Sequence, residues 1–245
     1  MLSGPAWLAL EVKRLDPAVA FYREHLDLPV RRRDGREAAL GAGESDLVLR
    51  RPASVPRGGL HTHYAFACPA DQYDDWWDRL ADDFDLHEER FGDVRSLYFY
   101  DLAGNCVEVM GRGPPAASGR DDDAAERDGG NAPAVTGLAE VVLEVESLPR
   151  AESFYTALGL DIVDQGDRRR RTRLTAGAFD LELWEPHLGL ADARGGVHVD
   201  LGAYVDDPRD AADAVWGRAE RIENLDDGTV RVRDPDGHHL TFVDG

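Results

Sequence analysis

Apolar and polar residues alternate through WLALEVKRL at residues 7–15, while the next stretch, DPAVAFYREHL, spaces its apolar positions as a helix does. The pattern predicts a strand and then a helix, with Asp16 as cap and Pro17 in the first turn. Three short extended segments are expected at 30–33, 37–40 and 47–50, separated by the turn signals Asp34-Gly35 and Gly41-Ala42-Gly43. The order then restarts. HTHYAFAC reads as a strand, and DQYDDWWDRLADDF reads as an amphipathic helix with Tyr73, Trp76, Trp77 and Leu80 on one face. Strands near 86–90, 95–100 and 106–110 complete the second unit. The last two of these, LYFY and CVEVM, flank the turn-forming DLAGN and form a hairpin with Cys106 and Glu108 on one face. A carboxylate in so apolar a strand needs a partner, and either a metal ion or a buried Arg would serve.

The grammar then repeats at longer range. EVxxLxxAxxFY occurs at Glu11–Tyr22 and at Glu144–Tyr155, GGLH at 58–61 returns as GGVH at 195–198, and YFYDLAGNCVEVMG is echoed by VRVRDPDGHHLTFVDG. Matched landmarks in one order mark an internal repeat. Between the halves, residues 112–134 are rich in Pro, Gly, Ala and Asp without apolar periodicity and read as a linker. The expected organisation is a first domain at 1–111, a linker at 112–134 and a second domain at 135–245.

Charge narrows the partners. Acidic residues number 48 against 28 basic ones, for a formal charge of -20, and Lys13 is the sole lysine. Such a surface argues against nucleic acid, which needs clustered positive charge, and suits solubility at high salt, so a halophilic cytoplasm is the expected setting. No stretch reaches the roughly 18 to 20 apolar residues of a membrane span. Cys68 and Cys106 stand 38 positions apart, offer no C-x-x-C pair, and are expected to be buried thiols. The Arg runs at 31–33 and 168–171 could meet an anionic substrate, but read better as solvated strand faces paired with Asp and Glu.

With these residues in view, the chain resembles the vicinal oxygen chelate superfamily of glyoxalase I, bleomycin-resistance proteins and extradiol dioxygenases. The family opening LxVxDLxxSxxFYxxxLGL is matched by LALEVKRLDPAVAFYREHLDL and VVLEVESLPRAESFYTALGLDI. Its DPDGxxxE ending is matched at Asp101–Glu108 and, without the Glu, at Asp234–Thr241. The resemblance implies an α+β fold of two tandem domains, each of paired βαβββ units forming a half-open barrel. It places metal ligands at His63 and Glu108 and a substrate-orienting residue at Tyr98, most like the two-domain catechol 2,3-dioxygenases. Trp7 stands at the family's first-strand His and Phe91 near its acid/base His, so both are expected to contact substrate, as is Cys106 beside Glu108. His61, two residues before His63 on a strand, could rebuild a site of two imidazoles and one carboxylate. The implied metal is Fe(II) or Mn(II).

In the second half the counterparts of Trp7, Leu49, His63 and Glu108 are Glu140, Glu182, Asp200 and Thr241. Three carboxylates would suit Mg²⁺ or Ca²⁺, but on so acidic a chain they read as chance. The functions carried forward are a metal-dependent extradiol-type enzyme acting on a small aromatic or vicinal-oxygen substrate, a metal-free binding protein of the bleomycin-resistance type, and a glyoxalase-like isomerase or lyase. The last needs four ligands, of which Trp7 and Leu49 remove two. Homo-oligomerisation is left open.

Overall fold

The computed structural model describes residues 1–52, 59–112, 133–166, 170–186 and 198–245. Most of the expected linker, Arg168 and Arg169 of the second Arg run, Gly58 of GGLH and the Gly residues of GGVH lie outside them.

Four βαβββ units follow one another. The first holds β1 (Leu2–Glu11), α1 (Leu15–Leu26), β2 (Val30–Arg33), β3 (Glu37–Ala42) and β4 (Ser45–Arg50). The second holds β5 (His61–Cys68), α2 (Tyr73–Leu80), β6 (His87–Phe91), β7 (Val94–Tyr100) and β8 (Cys106–Gly111). The third holds β9 (Gly137–Glu144), α3 (Leu148–Ala157), β10 (Asp161–Gly166), β11 (Arg171–Ala176) and β12 (Phe179–Trp184). The fourth holds β13 (His198–Val205), α4 (Pro208–Ala214), β14 (Arg221–Asn224), β15 (Val230–Arg233) and β16 (His239–Asp244). The expected α+β fold of paired βαβββ units is the fold observed.

Local chemistry accounts for these elements, with one correction. In α2, Tyr73, Trp76 and Leu80 are buried and Trp77 packs partly buried against the core, as their spacing predicts. In α1, however, Asp16 does not cap. It lies inside the helix, its carboxylate is drawn to the Arg33 guanidinium at 2.5 Å, and the N-cap position falls on Arg14. An Asp two residues past the cap position cannot reach the first free amides.

The units pair across the halves. One eight-stranded sheet runs β14-β15-β16-β13-β1-β4-β3-β2 and the other β10-β11-β12-β9-β5-β8-β7-β6. The first unit therefore shares its sheet with the fourth through the antiparallel β1–β13 pair, and the second with the third through β5–β9. Helical faces cover the outer side of each sheet, where Tyr22, Trp76 and Tyr155 are fully buried in one continuous core. The inner faces are left to build sites.

Candidate metal centre

The second sheet brings together what the sequence keeps far apart. His63 on β5 pairs in register with Cys106 on β8, and Ala65 pairs with Glu108. Across the antiparallel partner, Ala65 faces Glu140 of β9. These registers place His63, Glu108 and Glu140 on one inner face, where one ligand atom from each lies within 4.8 Å of the other two. All three side chains are almost wholly buried. His63 Nε2 stands 3.4 Å from Glu108 Oε2 and 3.5 Å from Glu140 Oε1, and Nδ1 is 3.1 Å from the Thr62 hydroxyl.

Glu182 on β12, the third-unit counterpart of Glu108, lines the same cavity. Its oxygens are already engaged: Oε1 accepts from Arg173 Nε at 2.6 Å and Arg171 Nη1 at 3.0 Å, and Oε2 accepts from Trp184 Nε1 at 2.6 Å. The His63 ring lies between two aromatic neighbours, edge-on to Tyr98 and Trp184 at 5.6 Å each. The cavity is about 30 Å³, room for an ion with one or two waters.

Electrostatics follow from burial and from three carboxylates in one place. Burial first, then the charge of Glu140, pushes the Glu108 carboxyl up to about 7, with His63 and the Ser96 and Tyr98 hydroxyls acting in the opposite direction. For His63, burial disfavours the charged ring, but Glu140, Glu108 and Glu182 outweigh it and its pKa is raised. Burial and the Glu108 and Glu140 charges raise Tyr98, so it stays a phenol. The Cys106 thiol is pushed up to about 12 by burial and Glu108.

A divalent ion fits these residues. Both carboxylate oxygens of Glu108 and Oε2 of Glu140 are buried without a well-formed hydrogen bond, a costly state for a carboxylate. Among the described residues, the ion pair made by Glu108 is with His63, whereas Glu140 also has Arg173 at 3.4 Å. If His63 Nδ1 donates to Thr62, Nε2 turns a lone pair toward two carboxylates, which only a shared cation or a second ring proton relieves. The ligand atoms, 3.4 and 3.5 Å apart, are near enough that one ion would be held by His63 together with either carboxylate.

Tyr98 lies directly across from Glu108 in the β7–β8 register, and half-exposed Phe91 lines the cavity at its rim. Cys106 is buried on the strand that carries Glu108. Two expectations are corrected. His61 is not part of the cluster, because the β5–β9 register shifts between His61 and His63. A bulge there breaks the two-residue alternation, and the His61 ring packs 5.8 Å from Tyr64, a core residue. Burial, then the nearby His63 and His238, lowers its pKa to about 3. Trp7 belongs to the other sheet and touches none of this pocket.

That other sheet shows what became of the equivalent site. Ala9 pairs with Val48, so Val48 and not Leu49 stands where Glu108 does in the second unit. The Trp7 indole donates to Asp200 Oδ2 at 3.1 Å and lies so close to Gly202 that a Cβ there would meet it at 2.2 Å. Thr241 Oγ1 donates to Asp200 Oδ1 at 2.8 Å. The space is filled and its carboxylate satisfied. Glu140 and Glu182, read from sequence as chance carboxylates, instead line the second sheet's pocket. The signal for Glu140 was present, a carboxylate inside the apolar run LAEVVL, and only its partner strand was unknown.

Comparison with known proteins agrees with this architecture. Residues 4–109 match the model of the Glyoxalase/Bleomycin resistance protein/Dioxygenase superfamily. No curated protein sequence matches the chain. Among solved structures, the fold is similar to a putative dioxygenase from Bacillus subtilis subsp. subtilis str. 168, at TM-score 0.75 and 16% identity, covering 98% of this chain and 84% of that one. It is also similar to glyoxalase I from Zea mays, at TM-score 0.68 and 20% identity, covering 98% and 92%. The family model thus covers residues 4–109, and the fold shared with these solved structures continues to residue 245.

Proposed function

We propose that the protein is a divalent-metal-dependent enzyme that transfers a proton on a small molecule chelating through neighbouring oxygens, an isomerase or lyase of the glyoxalase type. The observation that carries this reading is the buried convergence of His63, Glu108 and Glu140 with Glu182 beside them. The objection that Trp7 and Leu49 remove half of a four-residue site loses its force, because those residues belong to the other sheet. One imidazole among carboxylates favours Mn(II) over Fe(II) within the expected pair. When bound, the ion would polarise the substrate oxygens as a Lewis acid.

The chain's own groups supply the rest. Tyr98, held as a phenol, donates to a substrate oxygen. Glu108, a carboxylate of the cluster lying across from Tyr98, would take a proton from a carbon acid as a general base. Phe91, Trp184 and Met110 keep the pocket dry around them. A ring-cleaving dioxygenase is the second reading, favoured by Tyr98 standing across from Glu108; the single imidazole of the cluster is what places it second. The test is metal content and Mn(II) titration of the full chain, followed by NMR detection of solvent deuterium entering hydroxyketones. One ion per chain, lost with Glu108→Gln and His63→Ala, together with chelator-sensitive exchange, is expected. A wild-type chain that binds no divalent ion overturns the proposal.

A further inference from the structure

Two guanidinium groups line the same pocket, and the metal-holding set does not use them. Arg171 and Arg173 alternate on β11, opposite Trp184 and Glu182 of β12. Both are largely covered, with 19% and 29% of their side chains exposed. We propose that this pair selects a monoanionic substrate, an organic acid of the 2-hydroxy or 2-oxo carboxylate class; the proposal rests on the metal-enzyme reading above.

Charge balance gives the sign and size of the ligand's charge. Among the groups that line the pocket, Glu108, Glu140 and Glu182 contribute three negative charges, Arg171 and Arg173 two positive ones, and a neutral His63 none; Asp164, the partner of Arg171 at the rim, is half exposed and its charge is screened by water. A divalent ion turns the net of minus one into plus one. A neutral substrate would leave that charge uncompensated in a nearly closed pocket, and a monoanion cancels it.

Geometry says how the pair is held. Glu182 Oε1 accepts from both arginines, at 2.6 Å from Arg173 and 3.0 Å from Arg171, while Trp184 fixes its other oxygen. Glu182 thus works as a clamp on the guanidinium groups. Asp164 holds Arg171 from the rim at 2.7 Å. Arg173 Nη2 also reaches Glu140 Oε2 at 3.4 Å, an ion pair too long for a strong charge-assisted hydrogen bond. A cation that takes over Glu140 weakens this pull and frees donors on Arg173 for a carboxylate, which a guanidinium binds in a bidentate fork. Metal and anion should therefore each tighten the other's binding.

The probes are glycolate and its neutral isostere glycolamide, titrated into the Mn(II)-loaded full chain by water-proton relaxation. Glycolate is expected to bind at least tenfold tighter than glycolamide and to tighten Mn(II) in return. Arg173→Gln should keep Mn(II) yet bring the ratio near one, Arg173→Lys should restore part of it, and Arg171→Gln gives a second, independent loss. Equal binding of the two probes by wild type, or an unchanged ratio in folded Arg173→Gln and Arg171→Gln, overturns the proposal while leaving the metal reading intact. A wild-type chain that fails to bind Mn(II) overturns both.

Discussion

Tyr22 and Asp101 stand 79 residues apart in sequence, and the Tyr22 hydroxyl donates to Asp101 Oδ2 at 2.7 Å; Tyr155 and Asp234 repeat the arrangement at the same separation and 2.8 Å. Each Asp also accepts from two backbone amides of its own turn, those of Ala103 and Asn105 in one case and of Asp236 and His238 in the other. Tyr22 rides on α1 of one sheet and Asp101 on the β7–β8 turn of the other, so each pair ties the two sheets together. Removing either hydroxyl leaves a buried carboxylate short of a donor. Tyr22→Phe and Tyr155→Phe should each cost about 1 to 3 kcal/mol, read as a lower midpoint in urea at unchanged slope. A neutral result at both positions would show the ties to be incidental.

The two histidines of HTH should behave oppositely toward metal. His63→Ala is expected to reduce Mn(II) affinity at least a hundredfold, and His61→Asn to leave it within about threefold, since the bulge aims His61 away from the cluster. Calorimetric titration of both variants decides it; equal losses would restore the two-imidazole site.

Stability of the metal-free protein should depend on pH in a definite sense. The Glu108 carboxyl rises from 4.5 to about 7 on folding, so its contribution is complete below 4.5 and is lost as pH climbs through 7. His63, also raised, acts in the same direction. His61, lowered to about 3, acts oppositely, its contribution fading as pH falls below 6.5. Comparing Tm with and without Mn(II) at each pH cancels the His61 effect. The difference should widen from about pH 5 to 8, as the ion replaces the protons; a constant difference counts against an ion at Glu108.

Gly202 should tolerate nothing larger. An added Cβ would sit 2.2 to 2.5 Å from three atoms of the Trp7 indole, so Gly202→Ala is expected to cost about 1 to 3 kcal/mol through overpacking. Mn(II) stoichiometry should stay at one per chain, because Trp7 and the ligands occupy different sheets. A change in stoichiometry would place Trp7 near the metal after all.

Strand and helix positions were legible because alternation and helical spacing are local properties of a sequence. The β5, β7 and β8 segments fall within a residue or two of the pattern that predicts them. His63, Glu108 and Tyr98 were legible as well, through one motif on neighbouring strands. Glu140 and Arg173 were not, because what brings them to His63 is the pairing of β5 with β9, a choice of partner that no local pattern encodes. Pairing units within each half would have set Trp7 beside His63, whereas the observed pairing sets Glu140 there. The His61 expectation failed for a smaller reason, a single-residue register shift.

The pairing of units across the halves has a consequence for inheritance. Two identical copies related by a twofold axis must build two identical sites, so any substitution at one is imposed on the other. Here the counterparts are separate codons of one gene. Trp7, Val48 and Thr241 could close one pocket while His63, Glu108 and Glu140 stayed in the other, and selection could act on a single copy of the chemistry.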